Sequence, residues 1–177
     1  MVKCTGNVLE EITATFDAGC DRLSACEKVM DIPTTAQDAS KSWNVRRYIG
    51  ISPNTNRLCM ANGMTCDDCI DDDGSANFSF PHGTILCFKD LDQLNSTNMS
   101  DRADSNIIVM AEGVRNVVGF DWHPDSNSFY FTDNGQDGGA WSYPDDELNY
   151  VQNGSEYNND NSTHFGFPWC HTLGSGL

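Results

Sequence analysis

The residues best suited to chemistry lie between positions 113 and 149. Arg115 and Asn116 are adjacent in the sequence. An Arg binds a carboxylate through two parallel hydrogen bonds from its planar guanidinium, and an Asn can donate a hydrogen bond to a carboxylate or carbonyl oxygen. Residues 134–136, Asn-Gly-Gln, form a polar loop in which the glycine lets the backbone approach a ligand closely. Residues 145–147 are all acidic, and clustered carboxylates repel one another unless a cation or an Arg compensates them. Three structural alternatives stay open: an Arg-Asn turn that caps a strand, a plain Asn-Gly turn and a solvated acidic loop.

Short apolar and aromatic runs must position these loops. The runs are rich in β-branched and aromatic side chains, and Pro, Gly and Asn turns separate them with little helical periodicity. The predicted strands are residues 48–51, 58–60, 84–88, 107–111, 117–122 and 128–133. The pattern predicts an all-β fold, and by itself it leaves a sandwich and a propeller as alternatives. Residues 1–31 remain unassigned, because the VLEEI run near their start suits a short helix or a strand.

The chain contains eight cysteines, and two of them form a CxxC pair. The full set is Cys4, Cys20, Cys26, Cys59, Cys66, Cys69, Cys87 and Cys170. A zinc site would need a second such pair or a Cys/His pair at metal spacing, so disulfides are favoured over zinc. Cys66 and Cys69 lie in the long polar segment 62–83, whose length suggests a functional or disulfide-tied loop.

Charge and targeting signals restrict the partners. Acidic residues number 26 against 10 basic ones, for a net charge of −16, and such a surface repels nucleic acid and anionic membranes. No apolar run is long enough to span a membrane, and the first residues lack the apolar stretch of a signal peptide. N-x-[ST] sequons occur at Asn77, Asn95, Asn98, Asn153 and Asn161. With the cysteines they favour an extracellular or secretory-pathway protein, and a fragment missing its true start would reconcile these observations.

Several blocks, in fixed order, resemble the glucose/sorbosone dehydrogenase family from about residue 32 to residue 171. The blocks are YIGISPNTNRLCM, GMTCDDC, HGTILCF, GVRNVVGFDWHP, FTDNGQD, PDDELN and HFGFPWCH. The last four, found in this order, carry most of the resemblance. It implies a six-bladed β-propeller that uses pyrroloquinoline quinone (PQQ) and Ca²⁺ to oxidise a sugar or aldose. Blades run roughly 40–50 residues, so residues 32–177 are expected to form an incomplete propeller of three to four blades, as a piece of a longer protein.

The resemblance also implies roles for individual residues. Arg115 and Asn116 would contact PQQ, and the carbonyls of Gly135 and Gln136 would bind the associated Ca²⁺. Asp146 and Glu147 would orient the cofactor-binding Arg or bind a structural calcium, so Asp146 is assigned to the cofactor and Glu147 to the metal. Asp137 is a further candidate. Phe165 to Trp169 would pack in a blade core, with Cys170 in a disulfide.

The chain departs from the family at the catalytic base. Family members place a His just before the strand that begins near Arg47, whereas residues 42–46 read Ser-Trp-Asn-Val-Arg, and neither Trp nor neutral Asn is a base. His82 is the substitute candidate, because it follows the CxxC loop. Two other hypotheses therefore stay open: a non-catalytic extracellular propeller that binds a partner, and a calcium-dependent propeller lactonase or other hydrolase. Substrate and electron acceptor are not specified by the sequence.

Overall fold

The computed structural model describes residues 2–5, 8–11, 27–32, 47–76, 78–137, 144–152 and 162–170. Strands dominate these ranges, and one short 3-10 helix, Leu91–Ser96, interrupts them. The predicted all-β class is therefore confirmed. Within the same ranges there is no helix long and apolar enough to cross a bilayer.

The strands fall into three sheets. In chain order they are β1 Val2–Thr5, β2 Val8–Glu11, β3 Glu27–Asp31, β4 Ile49–Ile51, β5 Leu58–Asn62, β6 Thr84–Phe88, β7 Ile107–Glu112, β8 Val117–Trp122, β9 Phe129–Asp133, β10 Glu147–Val151 and β11 Thr163–His164. The spatial orders are β1-β2-β3, β10-β9-β8 and β11-β7-β6-β5-β4. These described strands do not close into a ring, so the six-bladed propeller stays a prediction.

The five-stranded sheet is buried on both faces at its centre. Every residue of β5 and β6 is buried, and the two strands pair antiparallel with Cys59 opposite Cys87. These two cysteines form a disulfide across the strands. Successive side chains of a strand point to opposite faces, so each strand contributes to two separate cores.

The two cores lie on opposite faces of this sheet. On one face Cys59, Ala61 and Ile85 belong to a cluster that includes aromatic side chains of β8 and β9. On the other face Met60, Leu86 and Phe88 pack with side chains from β3 and the 3-10 helix region. The continuous apolar runs of β5 and β6 are explained by this double coverage, since strands buried on both faces lose the apolar–polar alternation.

In the sheet β10-β9-β8, the central strand β9 keeps that alternation. In β9, Phe129 and Phe131 are buried while Tyr130 and Thr132 are exposed. The turn between β8 and β9 closes with His123 N–H donating to the Ser128 carbonyl at 2.8 Å. This turn matches the one predicted at residues 123–127, and all six predicted strands are present within a residue or two of their predicted bounds.

Three features differ from the sequence interpretation. The 3-10 helix lies inside residues 89–105, which were expected to be loop, because Asp90 caps its first turn by accepting from Asp92 N–H. Strands β10 and β11 were not predicted; β10 begins in the segment interpreted as an acidic loop, and β11 has only two residues. The predicted disulfide at Cys170 is wrong for the part of the chain that the structure describes, where the exposed Cys170 thiol is free. The CxxC pair does form a disulfide, Cys66–Cys69, as favoured.

Candidate functional site

The site is built around the turn between β7 and β8, residues 113–116. Gly113 has φ +64°, a conformation that favours glycine, and the His164 ring lies 2.3 Å from where a Cβ would be. The backbone N–H groups of Arg115 and Asn116 both donate to the carboxylate of Asp133, with distances of 2.6 to 3.1 Å. Asp133 ends β9, so the pairing of β8 with β9 carries this carboxylate to the turn.

Asp133 is a buried carboxylic acid with an altered acidity. Burial raises its pKa from 3.8 to about 6; the hydrogen bonds from Arg115 and Asn116 oppose the rise, and the negative charge of Glu147 adds to it. Burial thus disfavours the charged carboxylate of Asp133, while the two backbone N–H donors stabilise it and fix its position. Sequence reasoning missed this residue; its position at the end of a predicted strand was the available signal.

The Arg115 side chain is buried, and the protein itself supplies acceptors for all its donors. Nε donates to the Asp67 carbonyl at 3.0 Å, and Nη2 donates to the Asp67 and Asp137 carboxylates. Nη1 donates to the carbonyls of Asn134 and Gly135. An Arg has five N–H donors, and these five bonds occupy them. We refer to Arg115 with Asp67, Asn134, Gly135 and Asp137 as the Arg115 cluster.

The CxxC loop is one arm of this cluster. Asp67 lies between the bonded Cys66 and Cys69, and besides accepting from Arg115 its carboxylate accepts from Asp137 N–H at 3.1 Å. Met64 N–H donates to the Arg115 carbonyl at 2.8 Å. The sequence analysis did not identify Asp67 as a site residue. Its position inside the CxxC pair and the acidic residues of that loop were the available signals.

The Asn-Gly-Gln loop is the second arm, and it packs against the acidic loop. Gly135 N–H donates to the Asp146 carboxylate at 3.0 Å. A Cβ on Gly135 would lie 2.1 Å from the Pro144 carbonyl oxygen, which explains the glycine at this position. The structure thus brings Asp146 to Gly135, whereas the carboxylates that contact Arg115 belong to Asp67 and Asp137.

Two buried amides next to the cluster have unused hydrogen-bonding capacity. Gln136 is 4% exposed, and neither its Oε1 nor its Nε2 has a partner in the described part of the chain. Asn116 is also buried, and its Oδ1 has no partner there. Most buried polar atoms in proteins are hydrogen-bonded, so such groups require an explanation, and a bound ligand is one.

A small cavity opens beside the cluster and has a volume of about 20 Å³. That is room for a water molecule or a single ion. We call it the Arg115 cavity; its lining includes Arg115, Asp133, Asn134, Gly135, Asp145 and Glu147. Its charged lining residues are three carboxylates and one guanidinium, so the site favours a cation.

Calcium at this site stays a prediction. Among the described residues no three His, Cys, Asp or Glu side chains converge as a metal site. The predicted ligands are instead mostly carbonyls, and the Gly135 carbonyl already accepts from Arg115. Glu147 lines the Arg115 cavity, and its carboxylate accepts from the Asn149 amide at 3.0 Å.

His82 lies in a second cavity, of about 140 Å³. The imidazole is 3% exposed, and its Nδ1 is 3.3 Å from the Gly63 carbonyl. Phe78, Phe80 and His164 share this cavity, and Gly113 lines both it and the Arg115 cavity. The structure therefore places His82 next to the Arg115 cavity and not within it. Residues 42–46, where the family's base is expected, lie outside the described ranges.

Comparison with known proteins identifies the family. The family model described as Glucose / Sorbosone dehydrogenase matches residues 13–165 of the 177-residue chain. The chain therefore belongs to the glucose/sorbosone dehydrogenase family.

Two further similarities cover different extents of the chain. The holo form of the pyranose dehydrogenase PQQ domain from Coprinopsis cinerea superposes with a TM-score of 0.63 at 15% identity, covering 98% of this chain and 41% of that one. At this identity the likeness shows a shared fold. A stretch of 61 residues is 52% identical to an uncharacterized protein of Borreliella burgdorferi, covering 34% of this chain and 14% of that protein. The chain thus spans less than half of either protein.

Proposed function

We propose that this chain forms part of a PQQ- and calcium-dependent dehydrogenase that oxidises a sugar or aldose. Membership of the glucose/sorbosone dehydrogenase family supports the reaction class. The pyranose dehydrogenase PQQ domain, which shares the fold, supports the cofactor. The observation that carries the proposal is the buried amide of Gln136, whose two polar atoms lack partners in the described part of the chain.

The polar groups at the site fit one part of PQQ. Asn116 and Gln136 do not line the Arg115 cavity, but each follows a residue that does. Their amide N–H groups can donate to the quinone and carboxylate oxygens of PQQ, and their amide oxygens can accept from its ring N–H. The cavity of about 20 Å³ is too small for a tricyclic ring system. These residues therefore supply one side of the proposed cofactor site, and the remainder comes from other parts of the protein.

The negative charge of the site is the reason to propose that calcium binds with PQQ. PQQ carries three carboxyl groups, and the carboxylates of Asp133, Asp145 and Glu147 line the Arg115 cavity. Like charges in one site repel unless a cation compensates them. Calcium prefers oxygen ligands, including carbonyls, and the proposed ligands are the Gly135 and Gln136 carbonyls with Glu147.

Arg115 acts in this proposal chiefly by holding the loops in place. Its five donors are taken by the protein, so a direct contact with a PQQ carboxylate would have to replace one existing bond. The bonds to Asn134 and Gly135 fix the loop that carries the proposed calcium ligands. Asp133 in turn fixes the Arg115–Asn116 backbone.

When bound, PQQ would supply the two-electron acceptor for the hydride lost from the sugar carbon. A general base must also take the hydroxyl proton of the sugar, and His82 remains the candidate. His82 lies in the larger cavity of about 140 Å³, and Gly113 lines both this cavity and the Arg115 cavity, so the proposed base lies near the proposed cofactor site. The disulfides are consistent with an extracellular location, which we include in the proposal.

Dye-linked oxidation of a panel of aldoses by the protein loaded with PQQ and Ca²⁺ tests the proposal. We expect turnover that requires both additions, and a reduction of about 100-fold in His82→Gln if His82 is the base. His123 is the matched control, because its Nδ1 accepts from Asp125 and Ser126 N–H within a surface turn. Binding of PQQ with no oxidation of any aldose would support the non-catalytic module instead.

A further inference from the structure

The Cys66–Cys69 disulfide closes a four-residue ring inside the Arg115 cluster. Asp67, within this ring, accepts from Arg115 through both its carbonyl and its carboxylate. The same carboxylate accepts from Asp137 N–H. Asp67 thus binds both the Arg115 guanidinium and Asp137, the residue that follows the Asn-Gly-Gln loop. The order of the Arg115 cluster therefore depends on the conformation of the ring.

The two described disulfides differ in access. Cys59 and Cys87 are 0% and 2% exposed and lie between paired strands. Cys69 is also buried, next to Met64 and Phe167, whereas Cys66 is half-buried in a surface loop. Thiol–disulfide exchange requires a thiolate to reach one sulfur, and Cys66 is the most exposed of the four bonded cysteines, so we take Cys66 Sγ as the point of attack.

We propose that Cys66–Cys69 is a thiol–disulfide exchange site that sets the order of the Arg115 cluster. A thiolate of a dithiol reductant attacks Cys66 Sγ, breaks the S–S bond and releases Cys69 as a thiolate, which takes up a proton. The second thiol of the reductant then displaces the Cys66 thiol and forms the reductant's own disulfide. The protein gains two electrons and two protons, and the dithiol loses the same number.

Reduction loosens the cluster for a physical reason. The disulfide limits the conformations of the loop, and without it the loop must lose more entropy to present Asp67 correctly. If Asp67 moves away, two buried Arg115 donors lose their acceptors, which is costly inside a protein. The Asp137 N–H loses its acceptor as well. The proposal rests on these contacts alone and holds whether or not the site takes PQQ.

Graded reduction of the full chain with dithiothreitol tests the exchange site, with alkylation and mass spectrometry to locate the thiols. We expect Cys66 and Cys69 to be alkylated at reductant concentrations that leave Cys59 and Cys87 bonded. Cys170, a free thiol, is labelled at every concentration and serves as the internal standard. Simultaneous reduction of both disulfides would overturn the proposal.

Hydrogen exchange tests the coupling to the cluster. After selective reduction we expect exchange of the Asp137 amide to accelerate about tenfold, while amides of β6 and β7 keep their protection. Unchanged exchange at Asp137 in the reduced protein would contradict the coupling. Both readouts are made without a cofactor, so their failure is distinct from failure of the proposed enzymatic function.

Substitutions within the ring separate the role of Asp67 from general damage by reduction. Asp67→Ala keeps the disulfide but removes the carboxylate, and we expect it to accelerate exchange at Asp137 as reduction does. Asp68→Ala is the matched control, because Asp68 is an exposed acidic neighbour in the same ring. Equal effects of the two substitutions would show that Asp67 does not transmit the state of the disulfide.

Discussion

Arg115 connects two loops, because its buried guanidinium needs an acceptor for every donor and both loops supply them. Sequence pattern identified Arg115 and Asn116 as candidate site residues, but it did not show where the guanidinium points. Asp67 is 48 positions away from Arg115 and Asp137 is 22 away, so these partners depend on the tertiary fold. A propensity or periodicity argument carries no information about contacts at such separations.

Replacing Arg115 with Lys should destabilise the fold. Lys has three donors and no planar fork, so it cannot replace all five hydrogen bonds that the buried guanidinium makes. Hydrogen bonds to a charged group contribute about 1.5–3 kcal/mol each, so we expect a loss of about 3 kcal/mol. Urea unfolding measures the change. The control is Arg102→Lys, which alters an ion pair between the exposed Arg102 and the half-buried Glu112 and should cost less than about 1 kcal/mol. Equal costs at the two positions would contradict the central role of Arg115.

Asp133 should make stability depend on pH. Its pKa is higher in the folded chain, about 6, than the ordinary 3.8, so protonation favours folding. Protonation of Asp133 therefore adds about 3 kcal/mol to the free energy of unfolding. The full amount is present below about pH 4, and it is lost as the pH rises through about 6. Asp133→Asn keeps an acceptor oxygen for the two backbone donors and does not titrate. Its unfolding free energy should therefore vary less between pH 4 and pH 7 than that of the wild type, and an identical pH dependence would show that Asp133 has an ordinary pKa.

At the scale of elements, close packing of two loops explains the glycine of the Asn-Gly-Gln segment. Gly135→Ala would place a Cβ against the Pro144 carbonyl and force one loop to move, at a cost of about 1–3 kcal/mol. Gly119→Ala is the matched control, since nothing lies within 4 Å of the added carbon. Thermal unfolding of both variants measures the difference, and a Gly135→Ala protein as stable as Gly119→Ala would refute this explanation.

The strands could largely be predicted, and the reason is visible in their side chains. β9 alternates buried and exposed residues, while β5 and β6 are short, mostly apolar runs, and both patterns are recognised strand signals. β10 also alternates, with Glu147 and Asn149 polar and Leu148 and Tyr150 apolar, but it was missed because its start was interpreted as part of an acidic loop. The pairing of β11 with β7 is parallel and joins distant segments, so local pattern could not indicate it.

At the scale of the whole molecule, three described sheets share two cores, and the family match extends over most of the chain. The chain covers 41% of the solved PQQ domain with which it shares a fold. A partial sheet assembly leaves strand edges available for pairing with further chain. The proposed cofactor site is accordingly expected to be completed by residues beyond those around Arg115.

We propose that the buried amide of Gln136 helps bind PQQ together with calcium. The most direct measurement is the thermal midpoint of the wild type and of Gln136→Met, each alone, with Ca²⁺, and with Ca²⁺ plus PQQ. Without ligand, Gln136→Met should be at least as stable as the wild type, since it removes unpaired buried polar atoms without losing volume.

A ligand that binds the folded protein raises the thermal midpoint by mass action. For the wild type, the midpoint with Ca²⁺ plus PQQ should be several degrees higher than the midpoint with Ca²⁺ alone. For Gln136→Met, this difference should be much smaller. If PQQ leaves the midpoint of the folded wild-type protein unchanged, or raises the midpoints of both proteins equally, Gln136 does not help bind PQQ.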